Sequence, residues 1–97
     1  MIFEMGGDIM IEARLTLANE VGLHARPAAM LVKCAARYKC QVAVKCGNKT
    51  ANAKSIMSVL TLGAVYGDEL VVTAEGIDEA ECIEAIRELA ERNFIEA

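Results

Sequence analysis

Residues 11–35 read IEARLTLANEVGLHARPAAMLVKCA, and within them the spacing between apolar residues changes. Over 11–17 every second residue is apolar, which is the pattern of a half-buried strand. From Ala25 onward the apolar residues recur at helical spacing and form one stripe, made of Ala28, Leu31, Val32 and Ala35. The stretch therefore predicts a strand, a loop and an amphipathic helix, in that order.

The rest of the chain continues with short elements separated by turn residues. They are a strand at 41–46, a hairpin turn at Gly47-Asn48, a strand at 49–53, a helix at 56–60 with Ser55 as N-cap, a strand at 70–74 and a last helix after Gly76-Ile77-Asp78. The order βαββαβα predicts an α+β fold, in which three helices cover one face of a four-stranded antiparallel sheet. Residues 1–9 show no period and contain Gly6-Gly7, so we expect a flexible N-terminal tail before a domain over 10–97.

The composition excludes several classes of protein. With 97 residues, 55% of them hydrophobic and 25% charged, the chain is predicted to form one globular domain. A formal net charge of −4, 4% aromatic residues and no Trp argue against a nucleic-acid binder. The longest unbroken apolar run, Ala28 to Val32, has five residues, whereas a membrane span needs roughly 20. We therefore expect a cytoplasmic protein without a signal peptide or membrane insertion.

The four cysteines do not have the spacing of a metal or redox site. None belongs to a C-x-x-C pair, so we expect neither a zinc site nor thioredoxin-like chemistry. Cys40 and Cys46 alternate with Val42 and Val44 on one face of a predicted strand, as small buried residues do. We interpret all four cysteines, Cys34 and Cys82 included, as structural, and we expect no metal and no cofactor.

The single His and the single Pro lie three positions apart, at the start of the first predicted helix. The first N–H groups of a helix have no backbone partner, and they bind anions, phosphate above all. Pro27 suits the first helical turn because its missing N–H is not needed there. Gly22 gives the preceding backbone freedom, and Arg26 matches phosphate oxygens. Together with His24 and Ala25, these residues predict a phosphate site.

The residues alone leave three interpretations of His24 open. Histidine can be a covalent nucleophile, and the helix N–H groups with Arg26 would then stabilise a phosphoryl group carried on the ring. Alternatively, the helix end binds an anionic ligand without covalent chemistry. The least specific interpretation is an ordinary surface histidine near a helix cap. Because no carboxylate lies nearby to orient the ring, general acid–base hydrolysis is disfavoured.

Two motifs resemble those of the HPr family, the histidine-containing phosphocarrier proteins of the bacterial phosphoenolpyruvate-dependent sugar phosphotransferase system. Gly22-Leu23-His24-Ala25-Arg26-Pro27-Ala28 looks like the family's active-site signature, and KSIMSVLTLG at 54–63 looks like the signature around its regulatory serine. The resemblance covers about residues 10–97. It implies an open-faced β-sandwich and a carrier with a transient phosphohistidine rather than an enzyme.

The resemblance also implies partners and roles. His24 would accept a phosphoryl group on Nδ1 from Enzyme I and pass it to IIA proteins, while Arg26 stabilises the phosphohistidine. Ser55 would be a phosphoserine, modified by HPr kinase/phosphorylase, and would act on a transcription regulator. The alternative is a mainly regulatory paralogue, of the nitrogen branch or the kinase-regulated type, which controls transcription or transport by protein binding. A monomer is expected in either case.

The short helix at 56–60 is predicted to form part of the partner surface, because it cannot bury all of its apolar residues. The predicted docking residues are Ala29, Ile56, Met57 and Leu60. Ser58 departs from a glycine that is common in kinase-regulated members of the family.

Charge is distributed unevenly along the chain. Residues 11–66 contain eight Lys and Arg against two Glu, a net charge of +6, while residues 67–97 carry −8. Both predicted phosphorylation sites lie in the basic segment, which favours acidic partner surfaces.

Overall fold

A computed structural model describes residues 10–18, 20 and 22–94; the predicted N-terminal tail lies outside them. Seven elements follow one another: β1 (Ile11–Thr16), α1 (Ala25–Ala35), β2 (Gln41–Cys46), β3 (Lys49–Asn52), α2 (Ile56–Leu60), β4 (Glu69–Glu75) and α3 (Glu79–Glu91). The predicted order βαββαβα is confirmed, and the observed bounds lie within one residue of the predicted strands.

The strands form one four-stranded antiparallel sheet with the order β1-β4-β2-β3. Leu15 stands opposite Leu70, and Val44 stands opposite Val72, so apolar residues face one another across neighbouring strands. Because side chains alternate along a strand, this register places every apolar set on the same face. The α+β prediction with an antiparallel sheet is therefore confirmed.

The core lies between one face of this sheet and the helices. The largest fully buried side chains include Leu17, Leu31, Leu70, Ile86 and Val72, which come from strands, helices and the loop after β1. Helix α3 packs on β1 and β4, and α1 packs on α2 and α3. The other face of the sheet remains uncovered by these helices, which is the open-faced β-sandwich that the resemblance implies.

Three of the cysteines are buried, as predicted. Cys34, Cys40 and Cys82 lie in the core, and burial above all raises the pKa of Cys82 to about 12, so its thiol stays protonated. The prediction is only partly right for Cys46, the last residue of β2, which is half-buried. Its thiol donates a hydrogen bond to Asp68 Oδ2 at 3.7 Å.

Asp78 joins the start of α3 to the start of β2. It is the N-cap residue of α3, directly before the helix as the sequence predicts, but its side chain makes no cap hydrogen bond. Its carboxylate instead accepts from the N–H groups of Lys39 at 2.8 Å and Cys40 at 2.9 Å. Asp78 thus connects two elements that lie far apart in the sequence.

We expect Asp78 to make stability depend on pH. The hydrogen bond from the Lys39 N–H, and after it that from Cys40, hold the pKa of this carboxyl below its ordinary value of 3.8. The contribution is therefore fully present above about pH 4 and is lost as the pH falls through the lowered value. In Asp78→Asn it is absent, so the free energy of unfolding should fall less than in the wild type between about pH 5 and about pH 2.5. Urea unfolding at both pH values measures this, and equal falls in the two proteins would contradict it.

Candidate functional site

The loop before α1 is fixed by a close backbone contact at Gly22. This residue is buried at φ +75°, and a Cβ built on it would lie 2.6 Å from the Ala64 oxygen and 2.9 Å from the Val65 Cα. The next N–H, of Leu23, donates to the same Ala64 oxygen at 3.0 Å. A glycine is needed for its backbone conformation, as predicted, and also because any side chain would meet the neighbouring turn.

His24 is the N-cap residue of α1, where the loop becomes helix. Its backbone is extended (φ −81°, ψ −172°), and its carbonyl accepts the first helical hydrogen bond from the Ala28 N–H at 2.8 Å. The imidazole makes no capping hydrogen bond and is exposed. The backbone therefore begins the helix, while the ring stays at the surface.

The first turn of α1 presents groups that suit an anion. Pro27 is its third residue and is buried, so the missing N–H costs the helix nothing there. The N–H groups of Ala25 and Arg26 have no partner within the helix, and both residues are exposed. No acidic residue occupies this turn, and Arg26 forms no ion pair with another described residue. Two amides and a guanidinium thus follow the imidazole directly.

Ser55 caps α2, as predicted. Its Oγ accepts from the Ser58 N–H at 3.3 Å, and the side chain is half-buried. The Ser58 hydroxyl in turn accepts from the Asn52 N–H at 3.1 Å, at the end of β3. The departure from glycine at Ser58 therefore adds a bond that fastens α2 to the sheet.

The predicted docking residues differ in exposure. Met57 is 71% exposed, Ile56 and Leu60 are each 37% exposed, and Ala29 is half-buried. Because α2 packs against α1, these apolar side chains lie on the helix that neighbours the one begun by His24. Of the α2 residues, only Val59 is fully buried.

The sequence pattern predicts no site role for Val65 and Tyr66, which lie between the second helix and the last strand. They are 58% and 64% exposed, in the turn against which Gly22 packs. Asp68 holds that turn, since its Oδ2 accepts from the Val65 N–H at 2.9 Å. Two large apolar residues within a Gly-Asp turn were a signal that could have identified them as further surface residues beside the loop of His24.

Comparison with known families decides what kind of protein carries this site. The family described as PTS HPr component phosphorylation site matches residues 11–92. The chain belongs to the HPr family. HPr proteins are the phosphocarriers of the phosphotransferase system, which agrees with the resemblance seen in the two motifs.

Individual HPr proteins support this membership over most of the chain. Phosphocarrier protein HPr of Treponema pallidum is 37% identical over 87 residues, which cover 90% of this chain and 99% of that protein. Phosphocarrier protein HPr of Xylella fastidiosa is 38% identical over the same length, covering 90% and 98%. Among solved structures, HPr-C-His from Thermoanaerobacter tengcongensis superposes with a TM-score of 0.84 at 42% identity, covering 90% of this chain and 98% of that one.

The described part of the chain contains neither a candidate metal site nor a candidate membrane span. Within residues 10–18, 20 and 22–94, no group of three or more His, Cys, Asp and Glu is arranged to hold a metal ion. Over the same residues, no helix has the length and apolar character needed to cross a bilayer.

Proposed function

We propose that this chain, as an HPr domain over residues 10–97, carries a phosphoryl group on His24. It receives the group from phosphorylated Enzyme I, which draws on phosphoenolpyruvate, and passes it to IIA proteins. In the transfer, a bond forms between His24 Nδ1 and phosphorus while the bond from phosphorus to the donor histidine breaks. The reverse exchange at a IIA protein regenerates the free ring.

The exposed imidazole at the N-cap carries this proposal. Because the ring takes no part in capping, it can accept and release a phosphoryl group without breaking a hydrogen bond of the helix. The N–H groups of Ala25 and Arg26 and the guanidinium of Arg26 stand next along the chain to stabilise the added negative charge. No described acidic residue in the first turn opposes that charge.

Incubation of the tagless protein with Enzyme I and phosphoenolpyruvate tests the proposal. We expect a mass increase of one phosphoryl group that is lost in acid, as phosphohistidine is. Because the sequence contains one His, a phosphohistidine can only be on His24, and the adduct should therefore be absent in His24→Ala. An unmodified protein beside an active Enzyme I would contradict the proposal.

We further propose that Ser55 is the phosphoserine of a regulatory branch. Its hydroxyl is half-buried and accepts a single N–H, from Ser58, so a phosphate on Oγ would replace no buried contact of the core. The helix would tolerate a phosphate at the start of α2. The phosphate would add roughly two negative charges to the predicted docking helix. HPr kinase/phosphorylase and a transcription regulator are the partners of this branch, which a mainly regulatory paralogue would use as its chief output.

For Ser55→Ala we expect two separable results. The helix cap is lost, which lowers the free energy of unfolding by about 0.5–2 kcal/mol. The acid-stable adduct formed with HPr kinase and ATP disappears as well. Ser58→Ala is the matched control: it loses the bond to Asn52 but should keep the adduct. An adduct that survives in Ser55→Ala would place the modification elsewhere.

Met57 is proposed as the main docking residue, since it is the most exposed side chain of α2. Met57→Asp should raise the KM of Enzyme I for this protein by roughly tenfold with little change in kcat, because it replaces an apolar contact with a charge. Ile77→Asp is the control. Ile77 is 91% exposed, and its neighbours Gly76 and Asp78 contact Cys40, which follows the end of α1 opposite to His24. Equal changes of KM in the two variants would contradict a docking role for α2.

A further inference from the structure

A small groove lies between the C-terminal half of α1 and α3, on a part of the surface that the proposed transfer does not use. Its volume is about 170 Å³, which is the volume that roughly six water molecules occupy in the liquid. The floor is apolar: Cys34 and Leu89 are buried there, and Met30 is half-buried beside them. The groove therefore has room for one small group on an apolar surface.

Cations surround this floor. Lys33 and Arg37 line the groove from the side of α1, and Arg92 lines it from the end of α3. Of the described residues that line it, none is acidic. The arrangement is notable because α3 itself is rich in Glu, and those acidic residues are not among the lining residues.

The guanidinium of Arg37 lies along the groove, since its Nη2 donates to Cys34 Sγ at 3.7 Å. Lys33 and Arg92 form no ion pair with any described residue. By contrast, Arg87, which is on α3 but outside the groove, pairs with Glu84 at 3.9 Å. Lys33 from α1 and Arg92 from the end of α3 thus bring two positive charges to one groove, and neither is paired with a described carboxylate.

We propose that this groove binds the phosphate monoester of a small organic molecule. A phosphate carries about two negative charges and several acceptor oxygens. A groove lined by three cations should therefore bind a phosphate ligand more tightly than a ligand with one carboxylate. Arginine forks match its oxygens, and the apolar floor receives the carbon atoms attached to it. The volume is too small for a nucleotide, because sites for ligands of that size usually measure 300 Å³ or more.

The position of the groove makes it a binding site and not a second transfer site. Lys33 is nine residues after His24 on the same helix, so the two lie about 14 Å apart at 1.5 Å per residue. The Cys34 thiol in the floor of the groove is buried, so it is not placed to attack a bound phosphate. A ligand could occupy the groove while His24 carries its phosphoryl group.

Titration with phenyl phosphate, followed by the backbone amide shifts of the full chain, tests this site. We expect saturable shifts at residues 30–37 and 85–92 with a Kd on the order of 1 mM. Benzoate, which has the same ring and one charge, should bind several-fold more weakly. His24→Ala should bind phenyl phosphate like the wild type, so failure of the carrier function would leave this result unchanged.

Variants separate the groove from general attraction to positive charge. Lys33→Gln and Arg92→Gln should each weaken binding by roughly 5–10-fold, and Arg87→Gln should leave it unchanged. The proposal is overturned by no saturation up to about 20 mM, by equal weakening in Arg87→Gln, or by shifts confined to residues 24–28. A phosphoserine peptide that binds more tightly than phenyl phosphate would overturn the assignment to a small molecule.

Discussion

His24→Ala should abolish phosphorylation by Enzyme I and phosphoenolpyruvate while leaving the fold intact. The loss should be complete, because the sequence contains no other His to carry the group. The fold should survive because the ring is exposed and caps nothing; we expect the free energy of unfolding to change by less than about 0.5 kcal/mol. Phosphoryl incorporation and urea unfolding, measured on the same preparation, check both parts.

Arg26→Ala is the matched comparison for this variant. Arg26 is also exposed and lies two positions further along, but its proposed role is to stabilise the phosphohistidine and not to form it. Incorporation should therefore persist, with faster loss of the phosphoryl group to water. Incorporation at the wild-type level in His24→Ala would show that another residue is the acceptor.

Gly22→Ala should have the largest effect on stability. The new Cβ would lie 2.6 Å from the Ala64 oxygen, and the residue would also be strained at φ +75°. The two nearest atoms, the Ala64 oxygen and the Val65 Cα, both belong to the backbone and cannot move aside as the end of a flexible side chain could. We expect the free energy of unfolding to fall by about 3 kcal/mol or more, and Tm to fall by on the order of 15 °C.

Gly63→Ala provides the control for this prediction. Gly63 has φ +61°, but nothing lies within 4 Å of a Cβ built there. It should therefore lose only the conformational term of about 1–2 kcal/mol. Similar losses of stability in the two variants would show that the close contact with residues 64–65 does not require a glycine at position 22. Calorimetric unfolding of both variants makes the comparison.

Most of the fold could be predicted because its signals are local. The alternation over 11–17 and the helical stripe from Ala25 each lie within a few residues, and both produced the observed elements. The same holds for the start of α1, where Pro27 and the preceding loop indicate a helix end next to His24. Hydrophobic spacing and turn residues report secondary structure directly.

What could not be predicted depends on residues distant in the sequence. The role of Gly22 comes from its contact with Ala64, about 40 positions away, and Asp78 binds backbone groups of Lys39 and Cys40 instead of its own helix. Tyr66 becomes a surface neighbour of the His24 loop only when the chain is folded. Local spacing gives no signal for such contacts, since each depends on the sheet register and on the packing of the loops.

Transfer from the phosphorylated chain to a purified IIA protein tests the central claim most directly. The chain would be labelled through Enzyme I and radioactive phosphoenolpyruvate, separated from both, and mixed with the IIA protein. A carrier predicts that the label leaves this chain and appears on the IIA protein in equal amount. Label that stays on the chain, or that appears only as inorganic phosphate, would contradict the account.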